Sequence, residues 1–249
     1  MSYDYLRILE QVTLINHDGG SSRCYHYAVT EAVRLFNRCG VTIEKVNKET
    51  NSKVIKYFKN LKEKKIEGII NLTPSYNKLI VSFDLKKTNF KELKKIVENL
   101  DVDKEQPRLL KKIEIPICCD DSLSLDIERL EKKLSLSREK IYENFFKKEY
   151  FCYMTGFVAG MPFLGDLDEN MRVNRLETPR VKVPKGSVGL TEQFANVYTF
   201  ESPGGWNIIG NTPLKLFDST KEKYPNLINP GDIVIFKQIS FNDYRNYNE

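Results

Sequence analysis

The chain has 249 residues, which is long for one domain and comfortable for two, and 41% of them are hydrophobic, enough to build at least one large core. Its formal net charge of +5 comes from 39 basic and 34 acidic residues, whose signs alternate along the polar stretches. This pattern argues against a nucleic acid as the main partner, because phosphate binding favours a basic stripe interleaved with aromatic residues.

The sequence also limits the compartment and the cysteine chemistry. It has no run of apolar residues long enough for a membrane span and no signal-peptide core at its N-terminus, so we predict a cytoplasmic protein without a membrane segment. The cysteines are odd in number and scattered, without CxxC spacing, which predicts reduced and buried thiols. They are Cys24, Cys39, Cys118, Cys119 and Cys152.

The first hundred residues predict an α+β domain with helices on one face of a mostly antiparallel sheet. Its apolar patterns alternate between helical and strand periodicity, with Gly and polar turns between them. In chain order we predict a strand at 5–15, a helix at 29–36, a strand at 41–46, a helix around 54–61, strands at 68–74 and 78–84, and a helix from about residue 89.

A charged stretch at 101–112 contains a proline and lacks periodicity, so we place the domain boundary there and predict domains at 1–105 and 106–249. A strand at 112–119 opens the second domain, followed by a helix around 126–134 and another that Ser137 caps. From Tyr150 onward, short strands alternate with Gly, Pro and Asn turns, which predicts a closed or nearly closed β-barrel. The predicted strands are YFCYMTGF, VKVP, SVGL, NVYTF, WNIIG, LKLF and DIVIFKQI, and NPGD at 229–232 predicts a type II turn.

Three stretches of the second domain read TGFVAGMPFLGDLD, TPRVKVPKGSVGL and SPGGWNIIGNTPLKLFD. They resemble the successive signature blocks of the KipI family, also called allophanate hydrolase subunit 1 or 5-oxoprolinase subunit PxpB. The resemblance implies an α+β N-terminal domain followed by a mainly-β, cyclophilin-like barrel domain. It also implies a subunit, inactive alone, of an ATP-dependent enzyme that opens 5-oxoproline to glutamate.

The resemblance further implies two partners, a KipA/PxpC-like subunit and a PxpA-like subunit, with ATP and Mg bound in the assembled complex. A second branch of the family implies a different function, inhibition of a sporulation sensor histidine kinase. A diverged, non-catalytic paralogue is the third alternative. The sequence leaves these three functions open.

Several positions depart from the family pattern. Ala159 stands where a proline is usual and Asp166 where a glycine is usual, while Phe194–Asn196 replace a glycine-rich turn. A histidine expected before the Tyr150 strand is replaced by Phe145 or a neighbour, and residues near 17–40 resemble an insertion.

The sequence predicts no catalytic residue and no metal site. The two histidines, His17 and His26, lie far from the signature blocks, which argues against a Ser-His-Asp triad or a histidine metal site. A phosphate-binding loop of the GxxxxGK[ST] type is also absent. Carboxylates available for a base or for magnesium are Glu201, Asp166 and Asp168, none of which is distinguished by spacing.

We predict a substrate- or partner-binding face at the second and third blocks. Arg180 is either a fixed guanidinium for a carboxylate or phosphate, or an ion pair with Glu177, Glu201 or another barrel acid. The two glycines before Trp206 form either an anion-binding nest or a tight turn, and Trp206 either plugs the barrel or anchors a partner. The predicted binding residues are Arg180, Lys182, Gln193, Glu201, Gly204, Gly205 and Trp206. Of these we expect Arg180, Lys182, Gln193 and Trp206 to converge on one concave face of the barrel.

Overall fold

The computed structural model describes residues 7–8, 12–17, 47–101, 111–221 and 225–247. The chain divides into two compact units, Met1–Arg108 and Leu109–Glu249. The predicted helix at 29–36, the predicted strand at 41–46 and nearly all of the predicted insertion near 17–40 lie outside the described residues. None of the helices in the described ranges is long and apolar enough to span a membrane.

In the first unit, a four-stranded sheet has the order β1-β2-β4-β3, in which β2 and β4 are parallel and the other neighbours antiparallel. The elements are β1 (Arg7–Ile8), β2 (Val12–His17), α1 (Lys48–Lys64), β3 (Ile69–Pro74), β4 (Leu79–Asp84) and α2 (Phe90–Glu98). The prediction of one strand over 5–15 is wrong, because β1 and β2 are separate and antiparallel, with Arg7 opposite Thr13.

Both helices in the described part of this unit begin at an asparagine cap. The side chain of Asn47 accepts a hydrogen bond of 2.8 Å from the backbone N–H of Thr50. That of Asn89 accepts one of 3.1 Å from the N–H of Glu92. Such caps satisfy backbone donors that have no partner inside the helix. The helices bury Val54, Leu61, Leu93 and Val97 in one core with Leu79, Val81 and Phe83 of β4.

The second unit contains the predicted barrel, which is confirmed as a closed barrel of seven strands. The described elements of this unit are β5 (Lys112–Cys118), α3 (Ile127–Leu134), α4 (Arg138–Phe146), β6 (Glu149–Thr155), β7 (Pro162–Gly165), a 3-10 turn (Glu169–Met171), β8 (Arg180–Val183), β9 (Ser187–Thr191), β10 (Phe194–Val197), β11 (Ser202–Gly204), β12 (Asn207–Asn211), β13 (Ile233–Ile239) and α5 (Phe241–Arg245). The barrel strands follow the order β10-β7-β6-β13-β5-β12-β9.

The closure depends on β13, which pairs with two strands far from it in sequence. It runs parallel to β5 over seven residue pairs, from Ile233 opposite Lys112 to Ile239 opposite Cys118. Its other edge is antiparallel to β6. A barrel without strand edges satisfies the backbone hydrogen bonds of every strand in it.

The predicted helix pair is confirmed, and Ser137 caps α4 by accepting a hydrogen bond of 3.3 Å from the N–H of Lys140. The predicted NPGD turn is also confirmed. The N–H of Asp232 donates to the carbonyl of Asn229 at 3.0 Å, and Gly231 has a φ of 91°. A positive φ at the third residue of a type II turn favours glycine.

Two of the segments that we predicted as barrel strands are not part of the barrel, so these two predictions are wrong. The VKVP segment is β8, which pairs only with β11 among the described strands, in a two-stranded sheet separate from the barrel. The LKLF segment forms a single bridge, between Phe217 and Asn226. Apolar alternation records which side chains are buried, and it does not specify which strand the backbone pairs with.

Candidate functional site

The second and third blocks meet in the two-stranded sheet of β8 and β11, which we call the ribbon. Val183 lies opposite Ser202, and Arg180 lies opposite Gly204. Beneath it is a hydrophobic cluster, the ribbon cluster, whose members are Met161, Val183, Tyr198, Trp206 and Ile208. The predicted residues Arg180 and Trp206 therefore lie in neighbouring parts of the structure.

Arg180 forms an ion pair with an acid that the sequence did not suggest. Its two terminal nitrogens donate to the two carboxylate oxygens of Asp126, at 2.9 and 2.7 Å. Asp126 is only 5% exposed, and its Oδ2 also accepts a hydrogen bond of 2.7 Å from the N–H of Ile208. The sequence left the partner open between Glu177, Glu201 and another barrel acid, and the structure shows that it is Asp126.

This pair has a structural consequence for the start of α3. Asp126 immediately precedes the helix, and its backbone N–H donates to the carbonyl of Ile208 at 3.0 Å. Asp126 thus connects α3, β12 and the ribbon. A bidentate guanidinium held by a buried carboxylate is well ordered, so the geometry favours the ion-pair alternative for Arg180 over a free anion site.

Lys182 and Glu201 form a second, exposed ion pair across the ribbon. Lys182 Nζ lies 3.1 Å from a carboxylate oxygen of Glu201, and the side chains are 73% and 56% exposed. Water and salt screen such a pair, so its contribution to stability is small.

The two glycines before Trp206 do not adopt positive φ, so neither provides the left-handed backbone of an anion-binding nest. A Cβ on Gly204 would lie 2.0 Å from the hydroxyl oxygen of Tyr198, whereas a Cβ on Gly205 would have no neighbour closer than 3.6 Å. Gly204 is therefore required for space. Trp206 is 6% exposed, and its ring lies 5.7 Å from that of Phe163, so it fills the ribbon cluster.

Gln193 lies in the turn between β9 and β10. Its carbonyl accepts a hydrogen bond of 2.8 Å from the N–H of Leu167. The next residue, Phe194, packs against the ribbon cluster. The turn is thus fixed through its backbone beside the same cluster.

The sequence noted Asn196 only as a departure from the family pattern and assigned no role to Tyr198, and the structure buries both beside the ribbon. Burial raises the pKa of Tyr198, while hydrogen bonds with the Asn196 side chain and the Trp206 backbone and the charges of Arg175 and Arg180 oppose this increase. Asn196 is fully buried, and its Oδ1 has no hydrogen-bond partner among the described residues. The sequence signal for this environment was Asn196 itself, a polar residue in a predicted strand of the barrel.

The positions that depart from the family pattern are built into the packing. The carbonyl of Ala159 accepts a hydrogen bond of 2.7 Å from the Thr199 hydroxyl. The Tyr153 hydroxyl lies 2.9 and 3.0 Å from the two oxygens of Asp166. The ring of Phe145 is fully buried and stacks on that of Phe236. These substitutions therefore have local structural partners.

The described thiols and carboxylates provide no evident nucleophile or metal site. Burial, with a smaller contribution from Cys118, raises the pKa of Cys119 to about 12, and burial also raises the pKa of Cys152. A protonated thiol is a poor nucleophile. Asp168, one of the predicted carboxylates, pairs with Lys148. Within the described ranges, no group of three or more His, Cys, Asp or Glu side chains is placed to hold a metal ion.

Comparison with known proteins identifies the family to which the chain belongs. The family model described as carboxyltransferase domain, subdomain C and D, matches residues 34–228. The chain is 34% identical over 220 residues to the 5-oxoprolinase B-subunit of Bacillus subtilis (strain 168), a match that covers 83% of this chain and 90% of that protein.

Solved structures agree with the fold. The crystal structure of TTHA0988 has a TM-score of 0.71 and 28% identity, covering 79% of this chain but only 38% of that one. The K. lactis urea amidolyase has a TM-score of 0.67 over 81% of this chain and 14% of its own, and at 18% identity it supports the fold alone. These matches confirm the KipI-family resemblance of the motifs. The chain belongs to the family described as carboxyltransferase domain, subdomain C and D, together with the 5-oxoprolinase B-subunit.

Proposed function

We propose that this chain is the PxpB-like subunit of an ATP-dependent 5-oxoprolinase, which opens 5-oxoproline to glutamate. The observation that carries the proposal is the match to the 5-oxoprolinase B-subunit of Bacillus subtilis, because it covers 90% of that protein at 34% identity. The name of that relative specifies a subunit, and the companions in our proposal are a KipA/PxpC-like subunit and a PxpA-like subunit. A cytoplasmic location is part of the same proposal, since the reaction consumes ATP.

In this proposal the chain contributes one side of a composite site and has no turnover alone. Three features support that view. The sequence lacks a phosphate-binding loop of the GxxxxGK[ST] type. Burial raises the pKa of the Cys119 and Cys152 thiols, which disfavours a thiolate nucleophile at either position. Arg180, the best candidate for binding an anion, is already paired with Asp126. ATP and Mg would then be bound in the assembled complex.

The test is a reconstitution with purified subunits. Glutamate formation is measured with 5-oxoproline, ATP and Mg, first with this chain alone and then with both companions. We expect no glutamate from the chain alone and turnover in the full mixture, with a mixture lacking ATP as control. Turnover by the isolated chain would contradict the composite site, and an inactive full mixture would contradict the proposed function.

A further inference from the structure

The side-chain amide of Asn207 joins two arginines of the second unit. Asn207 is the first residue of β12 and is completely buried. Its Oδ1 accepts a hydrogen bond from Nη1 of Arg129, which lies on α3. Its Nδ2 donates to the carbonyl of Asn174 at 3.1 Å, in the peptide bond that leads directly to Arg175. The Arg129 guanidinium and the backbone of Arg175 therefore lie on either side of one buried amide.

A second hydrogen bond holds Arg175 beside the ribbon. The N–H of the next residue, Leu176, donates to the carbonyl of Gly205 at 2.7 Å. The backbone is thus fixed on both sides of Arg175. The positive charges of Arg175 and Arg180 both act on the hydroxyl of Tyr198, where they oppose the rise in its pKa. Arg175 and Arg180 therefore lie near the same hydroxyl.

Arg129 and Arg180 approach the same end of α3. Asp126, which binds Arg180, immediately precedes this helix, and Arg129 lies three residues further on, where helical side chains are neighbours. The Asp126 carboxylate also accepts the N–H of Ile208, the residue that follows the Asn207 bound to Arg129. The three arginines therefore lie around the start of β12.

Only one of these three guanidinium groups has a carboxylate partner in the described structure. Arg180, the candidate that the sequence indicated, is paired with Asp126. Arg129 is partly buried and donates to a neutral amide, and Arg175 is exposed and forms no ion pair with a described residue. A charge removed from water is favourable only beside an opposite charge, and a guanidinium matches the geometry of a carboxylate or a phosphate.

We infer that Arg129 and Arg175 form a site for an oxyanion, either a carboxylate or a phosphate group. The Arg180–Asp126 pair fixes the ribbon and α3 around it. In the proposed reaction these groups are the carboxylate of 5-oxoproline and the phosphates of ATP, so the identity of the ligand rests on the proposed function. The site is held by buried groups of this chain, so the isolated chain should bind the anion weakly without converting it.

The acids near this site favour a small anion over a polyanion. Glu128 is adjacent to Arg129 in sequence, and Glu177 follows Arg175 by two residues. Both acids are exposed, and neither pairs with an arginine among the described residues. Nucleic acid binding favours a continuous basic stripe, which these acids interrupt.

The test measures the binding of 5-oxoproline and of pyrophosphate to the full chain by calorimetry at low ionic strength. The first ligand carries a carboxylate and the second only phosphate, so the comparison identifies the oxyanion. Pyrrolidinone, the same lactam ring without the carboxylate, is the uncharged control. We expect 5-oxoproline or pyrophosphate to bind, pyrrolidinone not to bind, and added salt to weaken the binding.

The variants are R129Q and R175Q, with R172Q as the matched control. R129Q retains an N–H donor for Asn207, and position 175 is exposed, so both should melt at the wild-type temperature. We expect each to weaken binding at least about tenfold, as for the loss of a hydrogen bond to a charged group. Arg172 belongs to the same segment, but its Nε donates to the carbonyl of Leu167 at 3.3 Å, so R172Q should change the affinity less than about twofold.

Trp206 reports the position of the bound anion without any substitution. It is the only tryptophan of the chain and directly precedes Asn207, so its indole N–H gives one resonance in the spectrum. This resonance should shift when the wild type is titrated with the anion that binds. An unshifted indole during binding would place the anion elsewhere and overturn the inference.

The outcomes separate the inference from the proposed function. A wild-type chain that binds neither 5-oxoproline nor pyrophosphate would overturn the inference, and so would equal affinities of the wild type, R129Q and R175Q. Glutamate formation in the reconstituted mixture would then leave the proposed function standing. Anion binding that requires both arginines, together with an inactive reconstituted mixture, would confirm the site and contradict the function.

Discussion

The partner of the Arg180 guanidinium could be found only from the structure. Its position between Pro179 and a strand left two alternatives, a guanidinium available to a ligand and a structural ion pair, and both of its terminal nitrogens are bonded to Asp126. Asp126 also binds the N–H of Ile208, so the carboxylate has three donors in a nearly solvent-free position. Removing one partner of such a pair leaves the other buried charge without compensation.

We therefore expect R180A to lower the free energy of unfolding by about 1–3 kcal/mol, because Asp126 loses its cation while staying buried. The matched control is K182A, which removes an exposed lysine two residues along and should change stability by less than about 0.5 kcal/mol. Denaturant unfolding followed by circular dichroism measures both. An R180A chain with unchanged stability but weaker binding of the companion subunits would support an anion site instead.

Cys119 gives a prediction with a definite pH dependence. Burial is the main reason that its pKa rises to about 12 in the folded chain. At pH 8 only roughly one thiol in ten thousand is then ionised, so reaction with an aromatic disulfide reagent should be far slower than in the unfolded chain. The C24S/C39S variant retains only Cys118, Cys119 and Cys152. Adding C119S to that variant identifies the contribution of Cys119 to the labelling. Fast labelling of Cys119 in the folded chain would contradict the raised pKa.

The same shift fixes the sign of its effect on stability. The folded pKa is raised above the unfolded value, so this contribution is fully present below the unfolded pKa, at about 8.5. It is lost as the pH rises towards 12, because the unfolded chain releases the proton first. The free energy of unfolding of C119S should therefore fall less at alkaline pH than that of the wild type.

At the scale of elements, the ribbon is held on the barrel by a close approach between β11 and the tyrosine that precedes it. Gly204 lies against the Tyr198 hydroxyl, and Tyr198 packs in the ribbon cluster with Trp206. A side chain at position 204 must displace either the tyrosine or the strand. The adjacent Gly205 has ordinary van der Waals space around it.

We expect G204A to destabilise the chain by about 1–3 kcal/mol through overpacking, and G205A by less than about 1 kcal/mol. Adding Y198F should recover part of the loss in G204A, because the hydroxyl at 2.0 Å from the new methyl group is removed. Recovery should be incomplete, since the ring carbon Cζ remains at 2.8 Å. A double-mutant cycle of unfolding free energies measures this coupling, and zero coupling would show that the contact does not matter.

At the scale of the whole molecule, the second unit is closed by strands from its two ends. β5 opens the unit, β13 comes near its end, and the two pair in parallel over seven residue pairs. The division of the chain into Met1–Arg108 and Leu109–Glu249 leaves this closure within a single unit. A cut before β5 would thus leave the barrel closed.

Limited proteolysis should therefore release a stable fragment that begins near Ile113, with cleavage between about Asp101 and Lys112. Mass spectrometry of the fragment gives its first residue, and circular dichroism shows whether it remains folded. Cleavage confined to the chain termini, without an intermediate fragment, would count against an independent barrel unit.

Local patterns predicted the parts of this protein that depend on near neighbours in the chain. The cap at Ser137 and the NPGD turn need only adjacent residues, and both are confirmed. The barrel was also predictable in kind, because short apolar strands separated by closely spaced Gly and Pro turns are typical of closed or nearly closed β structures. The ordered motifs identified the family, and the family match over residues 34–228 confirms it.

Tertiary structure alone decided the pairings between distant residues. Sequence could not choose Asp126 as the partner of Arg180, because 54 residues separate them and nearer acids were available. It could not show that β8 leaves the barrel to pair with β11, because alternation fixes which side chains are buried and not the neighbouring strand. The exposure of Val181 could not be predicted either, because a β-branched residue in a strand pattern indicates burial. Only the arrangement of the strands shows that its side chain is exposed.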